Sequence, residues 1–249
     1  MNSIARCLKH RRRILEVSQS ITAHVAPALS CVEIVDMIYY ELKMVRDVFV
    51  MSKGHGALAQ YVILEEFGLI DLKEYGKGNI GAHPDLGVPG IMASTGSLGH
   101  GLGMAVGMAY AERLKGSSVN IYVLMSDGEL QEGSTWEAVQ MAANLKLHNL
   151  ILFVDLNDFG GLERISESHP AVYPVVEKFT AFGWESLAGN GHNARGMNAL
   201  LNQRVGNKPF ALIAQTVKGK GVSYMEHVPI WHYRSPNKAE YELAMKELA

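Results

Sequence analysis

The stretch "VLMSDGELQEGSTWEA", residues 123–138, sets Asp127, Glu129 and Glu132, with two glycines, directly after an apolar run. A loop that only reverses the chain needs Gly, Asn or Pro, not a concentration of carboxylates. The next apolar run, "LILFVD", leads into "VDLND", so Asp127 and Asn157 lie thirty positions apart, each just beyond a strand. A carboxylate, an amide oxygen and a nearby backbone carbonyl are hard oxygen ligands that suit Mg²⁺ or Ca²⁺. Two or three protein oxygens would leave coordination positions open for a phosphate-bearing ligand, and Gly128 would let the backbone approach that phosphate. Taken singly, Asp127 could serve a turn and Asn157 a cap. Their paired placement is what suggests a site.

Histidine supplies a second set of candidates. Of ten, His24, His55, His83, His100 and His232 fall in glycine- or proline-containing stretches at predicted element ends, where function often resides. His10, His148 and His227 read as ordinary histidines, and His192 is left open.

Alternating helices and strands must position these groups. "IARCLKHRRRILEVSQ" has apolar residues at helical spacing. Ser30 and Glu33 are placed as a capping box for a helix over "CVEIVDMIYYELK". Residues 57–67 read as helix, and a long small-residue helix is predicted from Ser97. "NIYVLM" and "LILFVD" are short, continuously apolar strands of the kind found in parallel sheets covered on both faces. Between them, Ser134 and Glu137 form a second predicted capping box, opening a helix to about Lys146. Further on come a helix near 172–182, a strand "WESLA", a helix from Asn193 and a strand "FALIAQTV". Ser235-Pro236 is expected to open the last helix, with proline at its favoured first position. The pattern predicts a single α/β domain over 1–249: a doubly wound, mostly parallel sheet with helices on both faces, binding its ligand at the strands' carboxyl ends.

Composition narrows the function. A net charge of −2 gives no electrostatic case for nucleic acid, and "KHRRR" (Lys9 to Arg13) reads as a solvated helix face. No run reaches membrane-spanning length, and the N-terminus lacks an apolar signal core. Cys7 and Cys31 are too few for a disulfide framework, and together these features point to the cytoplasm.

"SDGELQEGSTWEA" followed by "NLILFVDLND" resembles the thiamine diphosphate motif, Gly-Asp-Gly and then Asn about thirty residues on. "MSKGHGALAQYVIL", "GAHPD", "ASTGSLGHGLGMAVGMA" and "TVKGKGVSYMEHVPIWH" follow the order of the transketolase family, so the resemblance spans practically the whole chain. It implies the thiamine diphosphate-binding fold, with Asp127, Asn157 and the carbonyl of Phe159 on a Mg²⁺ (or Ca²⁺) ion and Gly128 against the diphosphate. By the same resemblance His55 and His232 lie near the diphosphate and reacting carbons, while His24 and His83 line a channel for sugar substrates. Gly96, Ser97 and Leu98 match the turn whose backbone meets the aminopyrimidine ring, and Glu132 an acidic residue at the subunit contact.

Several departures accompany the match. Ser126 replaces the family's glycine before the Asp, "AHVAPALS" keeps His24 without Gly-His-Pro-Gly, and Tyr233 replaces the glycine of Trp-His-Gly. The segments before "SKGH" and "AHPD" are shorter than usual. The chain ends at Ala249, where full-length transketolases add a pyrimidine-binding domain and a C-terminal domain. The resemblance therefore implies the N-terminal subunit of a split transketolase, transferring a two-carbon ketol unit with a separate C-terminal subunit in an α2β2 heterotetramer. The "GSLGHGLGMAVGMA" helix is expected to be covered by a partner. The alternatives are another thiamine diphosphate-dependent C–C bond enzyme (acyloin formation or α-keto acid decarboxylation) and a non-catalytic partner subunit.

Overall fold

The computed structural model of the chain describes residues 2–249. Its elements begin with α1 (Ser3–Ser18), α2 (Val25–Ser30) and α3 (Val32–Met37), then β1 (Val48–Met51), α4 (Ala57–Glu66) and α5 (Gly101–Leu114). The strand–helix–strand unit follows as β2 (Ile121–Ser126), α6 (Gly133–Asn144) and β3 (Leu150–Leu156). A short hairpin of β4 (Phe159–Gly160) and β5 (Glu163–Arg164) leads to α7 (Ile165–Ser168) and α8 (Val175–Ala181). The chain closes with β6 (Glu185–Asn190), α9 (Ala194–Leu201), β7 (Phe210–Gln215) and α10 (Lys238–Glu247).

Five strands make one parallel sheet in the order β1-β2-β3-β7-β6. Side chains alternate across it, as the strand period requires. Phe49, Met51, Tyr122, Leu124, Phe153 and Leu212 enter one core with residues of α1 to α4, α9 and α10. Val50, Val123, Met125, Leu152, Val154 and Ile213 enter the other with residues of α5, α6 and α8. Burial on both faces explains why β2 and β3 read as unbroken apolar runs.

Several local expectations are corrected. β1 has no counterpart in the sequence reading; at four residues it is too short to show a period. The Ser30–Glu33 capping box does not form. Cys31 occupies the N-cap of α3, which continues into a π turn at Ile38–Leu42. Ser30 Oγ instead lies 2.6 Å from Asp155 Oδ2, and Glu33 pairs with Arg11. Ser134 does not cap α6 either: Glu132 is the N-cap residue, and Ser134 Oγ donates to the Gly99 carbonyl at 3.1 Å. α5 begins at Gly101, four residues after Ser97. For both serines a tertiary partner wins over local capping.

"KHRRR" is only partly a solvated face: Lys9 and Arg12 are exposed, but the other three residues are engaged. His10 and Arg11 are buried, Arg11 donating to Glu33 and to the Lys220 carbonyl, and Arg13 pairs with Glu65. The last helix opens at Asn237, not at Ser235-Pro236. Asn237 Oδ1 accepts from Glu240 N at 3.0 Å while Glu240 Oε2 accepts from Asn237 N at 2.8 Å, a reciprocal box that proline cannot make. Asn237→Ala should therefore lower stability by about 1 kcal/mol, read as a shift in urea midpoint at unchanged slope. A neutral result would return the helix start to Ser235.

Candidate active site

A cavity of about 310 Å³ opens at the carboxyl ends of β1, β2 and β3. His24, which directly precedes α2, lies on its wall with His55, His83 and His232. The His24 ring is 5.2 Å from that of His83, 5.4 Å from His232 and 6.1 Å from His55, and His55 is 5.3 Å from His232. Four segments far apart in sequence thus converge on one cluster. Gly96, Leu98, Gly128, Glu132 and Phe159 are also on the wall. Tyr233 stands at the mouth, 54% exposed, its ring 4.5 Å from His24.

Gly96 has φ +136, and a Cβ there would come within 3.0 Å of the His83 ring, so only glycine lets the histidine fold over this turn. Gly128 differs. A Cβ on it would meet no protein atom closer than 3.8 Å, so the protein's own packing does not demand a glycine; the space belongs to the cavity. Ser126, at φ −90, has ordinary extended backbone, which is why a side chain is tolerated before Asp127.

Asp127 and Asn157 lie beneath this wall, and Ser97 is exposed beside it. Asp127 Oδ1 accepts from Gly128 N at 2.9 Å, and Oδ2 accepts from Asn157 N at 2.9 Å and Asp158 N at 2.6 Å. One carboxylate thereby joins the two turns that follow β2 and β3. Burial, followed by the neighbouring charge of Asp155, pushes its carboxyl up to about 7. A cation at that point would relieve both penalties. Asn157 Oδ1 accepts from Phe159 N at 3.2 Å, which keeps the amide oxygen beside the Phe159 backbone. This donor set, hard oxygens on a buried acidic turn under an open glycine, fits a divalent ion with a phosphate ligand.

Two lysines support the histidines from behind. Lys53 Nζ bonds Asp155 Oδ2, the Pro27 carbonyl and Ser30 Oγ, and Thr216 Oγ1 also bonds Asp155. Burial works against both charges of the pair, yet the Asp155 carboxylate raises Lys53 and Lys53 holds Asp155 down. Lys218 Nζ donates to the Gly161 carbonyl at 2.8 Å and lies 2.9 Å from His232 Nδ1. An ammonium donates only, so His232 Nδ1 is the acceptor and its proton sits on Nε2. Burial and Lys53 lower Lys218 to about 8. Burial likewise lowers His24 to about 4, aided by His83 and Lys218, and His232 to about 3, aided by Lys218 and His24. His55 and His83 shift the same way, burial leading. The cluster is one of neutral imidazoles, and His24 Nδ1 is buried with no hydrogen-bonding partner among the described residues.

Residues 16–240 match the family described as the transketolase thiamine diphosphate binding domain. The chain belongs to the transketolase family. It is 37% identical to an apulose-4-phosphate transketolase subunit of Phocaeicola vulgatus, covering 97% of this chain and 92% of that one. It is 31% identical to a 6-deoxy-6-sulfo-D-fructose transketolase subunit of Clostridium sp., covering 97% and 96%. The solved transketolase of Leishmania mexicana superposes with a TM-score of 0.92 at 25% identity, covering all of this chain but 41% of that one. In length, therefore, this transketolase-family chain matches relatives that are named subunits and spans about two-fifths of the solved enzyme.

Sequence reasoning named the four histidines, and the fold brings them together. It passed over Lys53, Asp155, Lys218 and Gln131, the last on the cavity wall, and gave Glu129 no role. The available signal was a charge ending an apolar strand, in "VFVMSK", "LILFVD" and "FALIAQTVK". His100 is exposed at the N-cap of α5, outside the cavity wall; His192 pairs with Glu33 and accepts from Val217 N; His10 pairs with Glu66.

A neutral cluster has a consequence for acid stability. With the folded pKa of His24 near 4 and its ordinary value at 6.5, the folded chain binds fewer protons than the unfolded chain between those limits. Stability should therefore fall as pH drops through that window. Denaturant midpoints measured from pH 7 to 4 should decline less steeply for His24→Gln; an identical slope would show that His24 is not held neutral.

Proposed function

We propose that this chain is the diphosphate-binding subunit of a two-component transketolase, transferring a two-carbon ketol unit from a ketose to an aldose acceptor. The observation that carries the reading is the cluster of four neutral imidazoles facing a cavity floored by Gly128 and the Asp127 turn. In this reading Asp127, Asn157 and the Phe159 carbonyl hold Mg²⁺ (or Ca²⁺), with Gly128 against the diphosphate. Gly96, Ser97 and Leu98 form the turn beside the aminopyrimidine ring. When bound, thiamine diphosphate supplies the electron sink for carbon–carbon cleavage.

The protein's part is binding and proton handling. His232, with its proton on Nε2, presents a donor to the cavity, set by Lys218 behind it. His24 adds a neutral ring to the same wall, its Nδ1 buried away from solvent. His55 and His83 add further neutral sites that can give or take a proton, as cleavage of a ketose and addition to an aldehyde both require. A wall so rich in hydrogen-bonding rings suits polyhydroxylated substrates better than the α-keto acids of the decarboxylase alternative, which have fewer hydroxyls to bind. Tyr233 offers an aromatic face beside His24 on which a sugar could stack.

The second component covers the open side. The exposed positions on α5 include Gly103, Gly107, Tyr110 and Leu114, the last 70% exposed, glycines that let a partner approach closely beside two apolar side chains. Glu132, half-buried at the cavity edge, faces the same side in this reading and meets the partner. Pairing of two such heterodimers gives an α2β2 assembly. No helix among the described residues is long and apolar enough to cross a membrane, in keeping with a cytoplasmic enzyme.

Asp127→Ala should abolish Mg²⁺-dependent thiamine diphosphate binding in the assembled enzyme without unfolding it, since it removes both a charge and a coordination position. Calorimetry finding wild-type affinity would sink the metal assignment. The subunit reading is tested by assaying the purified chain with saturating thiamine diphosphate and Mg²⁺, alone and with a co-expressed pyrimidine-domain chain. Ketol transfer is expected only from the pair. Robust turnover by this chain alone, with host enzyme excluded, would refute it.

A further inference from the structure

Glu129 is fully buried, and no Lys or Arg among the described residues is hydrogen-bonded to it. Its carboxylate is held by polar donors instead. Oε1 accepts from Ser52 Oγ at 2.5 Å and from Gly99 N at 3.3 Å. Oε2 accepts from Ser126 N at 2.8 Å and from Ser126 Oγ at 3.3 Å. These donors come from three segments that meet at the cavity: the end of β1, the turn before α5 and the end of β2. Gly99 itself is constrained, with φ +81 and a would-be Cβ 2.5 Å from Ser134 Oγ, and Gly101 approaches Ser52 as closely, so the turn is packed tightly beside the Glu129 contact.

We propose that Glu129 is a positioning residue whose buried carboxylate fixes the Gly96–Gly99 turn against the Asp127 turn. Resting on the function proposed above, this sets the separation between the diphosphate site at Gly128 and the backbone at Gly96 and Leu98 that meets the aminopyrimidine ring. A ligand that must touch both turns at once is sensitive to that separation. A ligand that touches only the Asp127 turn is not.

Chemistry singles out Glu129→Gln as the informative change. Each carboxylate oxygen faces a backbone N–H, Gly99 N on one and Ser126 N on the other. A glutamine has one carbonyl oxygen and one NH₂, so one of the two backbone donors must lose its acceptor. The Ser126 bond is the shorter and closes a local capping box, so the amide oxygen stays there. The NH₂ then faces Ser52 Oγ, which can accept, and Gly99 N, which cannot. Other ties on the turn persist, among them Thr95 Oγ1 to the Met51 carbonyl at 2.6 Å and Ser134 Oγ to the Gly99 carbonyl at 3.1 Å. The turn shifts without the fold being lost.

The test compares two ligands on the enzyme assembled with its second subunit. In Glu129→Gln, affinity for thiamine diphosphate should fall about tenfold, the cost of one buried backbone donor left without its acceptor, while affinity for Mg²⁺ with inorganic pyrophosphate stays within about twofold. Amide hydrogen exchange of this chain should quicken over residues 96–101 and stay unchanged over 126–131. Equal weakening of both ligands, or no change in either ligand or in exchange, overturns the proposal. Should Glu129→Gln not fold, Ser52→Ala removes one donor to the same oxygen. It should give a several-fold loss in thiamine diphosphate affinity alone, and a wild-type result there is equally fatal. A wild-type assembly that binds no thiamine diphosphate would instead bring down the proposed function, while the exchange comparison still decides whether Glu129 positions the turn.

Discussion

Everything around the cavity hangs from one buried ion pair. Asp155, at the end of β3, binds Lys53 from the segment after β1, Ser30 from the end of α2 and Thr216 from the end of β7. Each tie lies close in sequence to a cavity histidine or its support. Lys53 is two residues before His55, Thr216 is two before Lys218, and Ser30 closes the helix that His24 opens. Burying a carboxylate and an ammonium together costs several kcal/mol per ion unless attraction and hydrogen bonds offset it. Here Lys53 has three acceptors and Asp155 three donors, so both ions are satisfied. Such a pair adds little net stability over an apolar substitute. What it secures is a single arrangement of four chain segments.

The charge pattern follows from that anchor. Behind the wall sit two ammonium groups, Lys53 and Lys218, and beneath it the carboxylates of Asp127 and Asp155. Burial, reinforced by the positive field of the lysines at His24, His55 and His232, keeps the imidazoles neutral. Neutral rings carry one donor and one acceptor each, whereas protonated rings would be donors only. Lys218 goes further, because its contact with Nδ1 fixes which nitrogen of His232 carries the proton. The same lysines lie behind a cavity whose proposed ligand is a diphosphate, where their charge complements rather than conflicts with the occupant.

What could be read from the sequence divides along physical lines. β2, β3 and β7 were legible because burial on both faces leaves continuous apolar runs. β1 was not, since "VFVM" is too short to separate from a buried helical turn. Helix starts failed where a hydroxyl had a better partner far away in sequence. Ser30 serves Asp155 and Ser134 serves Gly99, and neither choice is visible in a local pattern. The histidines were found through glycine- or proline-containing stretches at element ends and through ordered motifs, and their convergence needed the fold. The lysines behind them were missed because a charge at a strand end reads as a solvated terminus until the packing above it is known.

The cavity is finished on one side and open on the other, and the two sides differ in kind. The finished side is polar and over-determined: Asp127 joins two turns, Glu129 ties three segments, and Asp155 gathers four. The open side is rimmed by loops that leave large apolar side chains in water, with Leu86 at 62%, Leu162 at 65% and Ile230 at 61% exposure. These residues sit in the same loops as His83, Gly161 and His232. Comparable or greater exposure occurs elsewhere, at Ile4, Val45 and Val205, so it is the place of these three side chains beside the cavity that bears on the proposed assembly. A second chain seated there would bury the rim and exclude water from the imidazoles. In the proposed assembly the hydrogen bonds of this chain arrange the donors, because a partner docking on apolar loops can close a site but cannot arrange the donors inside it.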